Sequence, residues 1–163
     1  MKHFVMMVGL PGTGKSTFAK ELVQSGYTLI DTDSYIERIA KEKGVTYNKV
    51  FQDAIGLASK NIFKNLEKAL NLKSDIVWDQ TNLNRYNREL KLAKIPEDYF
   101  KTAVVFHPSN DWDIMLKREG KVIPSDVLNK MINSFDCPTL EENFHEIQHY
   151  KVINKTMVRV FKV

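Results

Sequence analysis

The sequence predicts an α/β fold, with a central, mostly parallel sheet and helices on both of its faces. Short apolar runs alternate with helix-length segments along almost the whole chain, the order expected of repeated strand–helix units. The first run, Phe4–Val8, is β-branched and apolar with no in–out alternation, as for a parallel strand covered on both sides. It passes straight into the glycine-rich turn "GLPGTGKST" and then "FAKELV", a strand–loop–helix connection.

The remaining elements follow in order. Ser16 to about Gln24 reads as a helix stopped by Gly26. "YTLID", Tyr27–Asp31, is a second strand, and a helix runs from Asp33 to about Lys43 before Gly44 closes it. Between Tyr47 and Leu72, residues such as Val50, Ile55, Ile62, Leu66 and Leu70 recur at helical spacing, with a break expected near Gly56. "DIVW", Asp75–Trp78, is a third strand, followed by a helix from Arg85 to about Lys94. "TAVVF", Thr102–Phe106, is a fourth, ended by "HPSN". Helices are expected near Asp111–Arg118 and Ser125–Ser134, and strand-like runs "FHEIQHYKVI" and "TMVRVFKV" flank Asn154-Lys155. No repeat, low-complexity segment or linker interrupts the 163 residues, so one domain over residues 1–163 is expected.

Composition narrows the class without choosing a function. Apolar content of 43% and charged content of 27% are ordinary for a soluble globular chain. A net charge of +4 is mildly basic and suits nucleotides or nucleic acid without singling them out. Cys137 is the one cysteine, so no internal disulfide forms, and no Cys/His cluster has metal-ligand spacing. A reducing, cytoplasmic setting is expected. The apolar start of the chain ends in a glycine- and lysine-bearing loop where a signal peptide would have its cleavage site. No stretch is long enough to span a bilayer, so no membrane partner is expected.

Gly9, four residues, then Gly14-Lys15-Ser16 is the spacing of a phosphate-binding loop. Such a loop needs N–H groups turned inward and no side chains in the way, and the helix that follows adds partial positive charge. The nucleotide-binding set is therefore Gly9, Gly12, Thr13, Gly14, Lys15, Ser16 and Thr17. Lys15 is expected on the β- and γ-phosphates of ATP, and Ser16 on Mg²⁺.

"LIDTDSY" puts Asp31 and Asp33 at the carboxyl end of the second strand, the edge where open α/β sheets bind ligands. Asp33 is the candidate general base for a hydroxyl acceptor, with Asp31 in support. Asp33 also stands where a helix cap would. "VWDQTNLN" ends the third strand, where Asp79 can hold a water on Mg²⁺ and Thr81 and Asn82 can meet the acceptor. The same stretch also reads as a turn with a helix cap. Trp78 reads as core. "LKREGKVIP" places Lys117, Arg118 and Lys121 in a short lid, about residues 117–124. Arg118, with its guanidinium fork, is the expected partner of the transferred phosphoryl group, although a solvated basic turn has the same composition.

Together, "GLPGTGKST", "DTDSY", "WDQTNLNRYNR", "KREGKVIPSDVL" and "FDCPTLEENFHEI" resemble, in order and approximate spacing, the kinase domain of polynucleotide 5′-kinases. The resemblance runs to about Val152 and implies a P-loop kinase fold with Asp33 as base, Lys15 and Ser16 on phosphates and metal, and Arg118 in the lid. It also implies a nucleic-acid partner with a 5′-hydroxyl end, while no room is expected for the phosphatase domain that often accompanies such kinases, and Arg85 is a further candidate on the acceptor side. The chain departs from that family at Thr32 and Ile36, where arginines are usual, and in a shorter lid with Lys121 in place of an arginine. Phosphates of an acceptor strand would then rely on Lys117, Arg118, Lys121, Arg85 and Arg88. "IDTDSYIERIAKEKGVTYNKVF" also resembles shikimate kinase, so a small polyol remains open, as does a hydroxymethyl group on a modified pyrimidine in DNA. A non-enzymatic nucleotide-binding module is the alternative of another class.

Overall fold

The computed structural model describes residues 1–110, 112–117 and 121–163. Its elements, in chain order, are β1 (Lys2–Gly9), α1 (Lys15–Gln24), β2 (Thr28–Asp31), α2 (Asp33–Lys43), α3 (Tyr47–Asn71), β3 (Ile76–Asp79), α4 (Arg85–Leu92), β4 (Tyr99–His107), α5 (Trp112–Leu116), α6 (Ser125–Asn133), β5 (Glu146–Ile153) and β6 (Thr156–Lys162). One six-stranded sheet has the order β2-β3-β1-β4-β5-β6. Its first five strands pair in parallel, and β6 runs antiparallel to β5. The reversal at β6 follows from Asn154 and Lys155, whose φ values of 49° and 64° make the left-handed two-residue turn favoured between antiparallel strands.

The pleat of β1 divides the core. Phe4, Met6 and Val8 pack with Ile62 and Leu66 of α3 and Leu92 of α4 on one face. Val5 and Met7 point the other way, to Ala19, Phe18 and Leu22 of α1. Both faces are covered, as the continuous apolar strand runs require. A third cluster joins α2 to α3 through Ile36, Ala40, Val50 and Ala54. No helix among the described residues is long and apolar enough to cross a membrane.

Two sequence expectations are corrected here. No break occurs at Gly56, because α3 runs unbroken from Tyr47 to Asn71. Gly56 lies on the exposed face, while Ala54, Ala58 and Ile62 are buried on the other. Their packing outweighs the roughly 1 kcal/mol that a glycine costs inside a helix. Arg88, counted among the cations open to an acceptor, is completely buried. Its Nε donates to Glu142 Oε2 at 2.7 Å and its Nη2 to Glu142 Oε1 at 2.8 Å. Nη1 donates to the carbonyls of Asn82, Leu83 and Asp136 at 3.1, 3.0 and 2.9 Å. The pair thereby ties the β3–α4 loop to the segment before β5.

Removing one member of a buried ion pair leaves the other charge without compensation. Arg88→Met is therefore expected to lower unfolding free energy by about 3–5 kcal/mol in urea titrations. A loss within about 0.5 kcal/mol, the range of ordinary surface substitutions, would show that the pair is not structural.

Candidate active site

The loop between β1 and α1 is held in shape by its own neighbours. Gly9 has φ 147°, and a Cβ there would sit 2.5 Å from the Phe106 carbonyl oxygen of β4. At Gly14, φ is 108° and a Cβ would meet Val152 Cγ2 of β5 at 2.8 Å. Glycine is needed at both positions on conformation and on space. The Gly9 N–H donates to the Thr81 carbonyl at 3.0 Å, which straps the loop to the end of β3. Across the loop, Thr13 Oγ1 and Lys15 Nζ each donate to the Leu10 carbonyl at 2.8 Å. Lys15 is nearly buried. No side chain caps α1, so the start of this helix presents backbone N–H groups in the way that suits a phosphate.

The carboxylates assemble through strand register. β2 and β3 pair with Asp31 opposite Asp79, at the carboxyl ends of both strands. Asp31 Oδ2 accepts from Ser34 N–H at 2.9 Å and Ser34 Oγ at 2.6 Å, and so serves the start of α2. The capping role that Asp33 might have taken therefore falls to Asp31. Asp33 Oδ1 instead accepts from the Tyr47 hydroxyl at 2.7 Å, and Oδ2 from Lys121 Nζ at 2.5 Å. Lys121 also lies 4.2 Å over the Tyr47 ring and 3.6 Å from Glu37. Asn48 Nδ2 donates to the Val122 carbonyl at 2.7 Å. The segment at Lys121 and Val122 thus rests on the starts of α2 and α3. Burial, and then the Asp33 hydrogen bond, push the Tyr47 phenol up, so Tyr47 stays a donor throughout the neutral range.

Asp79 shows how closely the parts converge. Burial pushes the pKa of its carboxyl above the usual carboxylate value, and the charges of Asp31 and Asp33 add to the rise. A hydrogen bond from Ser16 and the charge of Lys15 pull the other way. The Ser16 hydroxyl beside the Asp79 carboxylate is a donor set of the hard-oxygen kind that suits Mg²⁺. Among the described residues no three His, Cys, Asp or Glu side chains cluster as a metal cage.

The residues expected to meet the acceptor are placed unevenly. Thr81 lies beside the phosphate loop, its carbonyl already taken by Gly9. Asn82 is buried, with φ 46°, and its Nδ2 donates to the Met7 carbonyl of β1 at 2.7 Å. That amide fastens the loop to the sheet and is not turned outward. Arg85 is exposed on α4 and pairs with Glu89 at 2.7 Å and Glu141 at 3.7 Å. Lys117 is exposed at the end of α5, and Arg118 lies outside the described residues. Trp78 is core, as expected, with its Nε1 donating to Gln80 Oε1 at 2.9 Å.

Three residues near the site carried no signal in the sequence. Tyr47 reaches Asp33 from fourteen positions away, and its place at a helix start read only as the beginning of an apolar stripe. Gln80 and Lys91 were hidden in a polar stretch. Lys91 Nζ donates to Gln80 Oε1 at 2.8 Å and to Asn82 Oδ1, and lies 5.2 Å over the Trp78 ring.

A parallel sheet with a phosphate loop at the end of its first strand, and aspartates at the ends of the two strands beside it, defines a P-loop nucleotide-binding protein of the kinase class. The chain belongs to the AAA-domain family, whose family model matches residues 4–138. It is 28% identical over 140 residues to the L-seryl-tRNA(Sec) kinase of Methanococcus maripaludis, across 82% of this chain and 52% of that protein. The chain spans between about a fifth and about half the length of the curated relatives it matches. A chain of the PezAT chromosomal toxin–antitoxin system of Streptococcus pneumoniae superposes with a TM-score of 0.64 and 16% identity, over 99% of this chain and 72% of that one. A chain of the Pnkp1/Rnl/Hen1 RNA repair complex does so with a TM-score of 0.56 and 20% identity, over 82% and 43%. Identities this low show a shared fold.

Burial pulls the Lys91 ammonium down to about 8, from an ordinary value of 10.5. Between those two values the unfolded chain binds more protons than the folded one, so stability rises with pH. Relative to Lys91→Met, the wild type is expected to gain about 2 kcal/mol between pH 7.5 and 9.5 in urea titrations. Parallel pH dependences in the two proteins would mean that Lys91 titrates as a solvent-exposed lysine.

Proposed function

We propose that this P-loop kinase transfers the γ-phosphate of ATP to a hydroxyl acceptor, the 5′-hydroxyl of a nucleic acid. The observation that carries the transfer is Asp33, held on both oxygens at the start of α2, within the electrostatic reach of Asp79, which is hydrogen-bonded to Ser16 and feels the charge of Lys15. ATP supplies the transferable phosphoryl group, and Mg²⁺ would spread its charge. The chain's own residues divide the remaining work. Lys15 and the α1 N–H groups would hold the phosphates, while Ser16 and Asp79 would hold the ion and its water. Asp33 takes the acceptor proton as the acceptor oxygen bonds to phosphorus and the bond to the bridging oxygen breaks, releasing ADP. Lys121, on Asp33, stands where a cation can follow the charge that develops. Arg118 is assigned to the same task from the lid.

The nucleic-acid acceptor is supported by the matched stretches on the acceptor side, the basic balance of the chain and the likeness to a seryl-tRNA kinase. With Thr32 and Ile36 in place of arginines, Arg88 turned inward and Arg85 paired with glutamates, few cations among the described residues are left for an acceptor strand.

Lys15→Ala is expected to abolish ATP-dependent transfer while circular dichroism keeps the wild-type fold. Transfer within about threefold of wild type would remove the phosphate-loop assignment. Asp33→Asn is expected to bind ATP normally and turn over roughly 10²-fold more slowly. Normal binding with normal turnover would show that another group takes the proton. Because few phosphates are neutralised, binding should fall only shallowly as salt rises. A short 5′-hydroxyl oligonucleotide should then serve about as well as a long one. Label from γ-labelled ATP entering a hydroxymethylated base or a sugar acid, and no 5′ end, would overturn the nucleic-acid acceptor and keep the kinase.

A further inference from the structure

The two oxygens of Asp33 are held by donors of different kinds. Oδ1 accepts from the Tyr47 hydroxyl at 2.7 Å, and Oδ2 from the Lys121 ammonium at 2.5 Å. Tyr47 is the first residue of α3, and its ring packs against Phe51 one turn on and against the cluster that joins α2 to α3. Its hydroxyl is therefore carried by a side chain with little freedom. Burial, and then the bond to Asp33, push the phenol pKa up, so the group donates and does not compete as a base. Lys121 is held more loosely. Its stem is flexible, and its ammonium has two other supports, the Tyr47 ring at 4.2 Å and Glu37 at 3.6 Å.

Packing alone does not call for the hydroxyl. Ile36, Ala40, Val50 and Ala54 already join α2 to α3, and a phenylalanine would fill the same space. What the hydroxyl adds is a choice between two chemically equivalent oxygens. An oxygen that accepts from a fixed donor has its negative charge stabilised there, and it becomes the poorer proton acceptor of the two. The Asp33 side chain is 46% exposed, so the carboxylate is open to an arriving hydroxyl. We propose that Tyr47 is a positioning residue of the transfer: its hydroxyl reserves Oδ1 of Asp33, which leaves Oδ2 to take the acceptor proton, and its ring keeps Lys121 beside that oxygen. This rests on Asp33 as the base of the transfer proposed above, and it holds for any hydroxyl acceptor, water included. As the acceptor oxygen bonds to phosphorus, its proton passes to Oδ2 and the bond from phosphorus to the bridging oxygen of ADP breaks.

Turnover is followed as loss of the γ-phosphate of labelled ATP, with water as the acceptor and again with a 5′-hydroxyl oligothymidylate. Tyr47→Phe keeps the ring and removes only the hydroxyl. It is expected to lower kcat about tenfold with either acceptor, the worth of one charge-assisted hydrogen bond, with KM for ATP unchanged. In an Asp33→Asn background the same substitution should change nothing further, because Tyr47 acts through that carboxylate. A tyrosine with a merely structural role would slow both backgrounds alike, and that result would overturn the inference. Turnover of Tyr47→Phe within about twofold of wild type, beside a slow Asp33→Asn, would also overturn it and leave the base standing. An Asp33→Asn protein as fast as wild type would overturn the base itself, and loss of γ-phosphate to neither acceptor the transfer. A second measurement needs no variant. When lysines of the wild type are mapped by mass spectrometry after amine modification, Lys121 is expected to react about fivefold more slowly than the exposed Lys60. Tyr47→Phe should leave that rate unchanged, and Tyr47→Leu, which removes the ring, should raise it towards that of Lys60. Equal rates for the two lysines in the wild type would overturn the place of Lys121 on the ring even if neither variant folds.

Discussion

Parallel pairing of β3 between β2 and β1 is the constraint on which the site depends. It sets the carboxyl ends of three strands side by side, with Asp31 opposite Asp79 in register and Gly9 at the end of the next strand but one. A slip of one residue in β3 would force Trp78 into the α1 face, where the smaller Val77 packs, and would part Asp79 from Asp31. The core therefore enforces the register, since Trp78 packs with Phe4 and Phe63 and is completely buried. The geometry of the candidate site is inherited from hydrophobic packing. The Gly9 to Thr81 hydrogen bond then transmits that register from β3 to the phosphate loop.

Cations in this chain are sorted by what they can afford to leave unpaired. Arg88 is wholly committed to Glu142 and three carbonyls, a planar donor satisfied at every edge. Arg85 holds two exposed glutamates, a surface arrangement of little energetic weight. Lys121 and Lys91 differ from both. Each lies over an aromatic ring, each is only partly exposed, and each approaches the end of β2 or β3. Lys121 meets carboxylates, while Lys91 meets only neutral oxygens. Both are lysines on adaptable stems, in contrast to the fixed guanidinium forks of Arg85 and Arg88.

Most of the fold was legible because its signals are local. Each strand up to β4 is a short apolar run, α2 is bounded by Asp33 and Gly44, and the phosphate loop carries its spacing in nine consecutive residues. Gly56 misled because propensity is local too, whereas the packing of Ala54, Ala58 and Ile62 that overrides it is not. The site was legible in part for the same reason. Lys15, Ser16, Asp33 and Asp79 are marked by position after a strand. Whether Arg88 faces solvent or Glu142 depends on a contact across 54 residues, and no spacing within "NRYNREL" reveals it. Asn82 reads as a substrate contact by chemistry, but its left-handed backbone and the open Met7 carbonyl turn it inward.

The surroundings of Asp33 bear on how the proposed transfer would begin. Both of its oxygens accept hydrogen bonds, one from Tyr47 and one from Lys121. The Tyr47 contact joins the starts of two helices that share a packed core, so it is fixed by the fold. The Lys121 contact comes from the lid segment, which is tied to α3 through Asn48 and the Val122 carbonyl. Under the proposed transfer, an acceptor hydroxyl approaching Asp33 meets one oxygen held by Tyr47 and one shared with Lys121. Lys121 can give up Oδ2 and remain over the Tyr47 ring and near Glu37, so its charge stays at the site. Under the proposed reaction, the same movement that frees the base keeps a cation beside the oxygens that gain charge. Tyr47 is then the hinge of the arrangement, because it holds the carboxylate with its hydroxyl and the lysine with its ring.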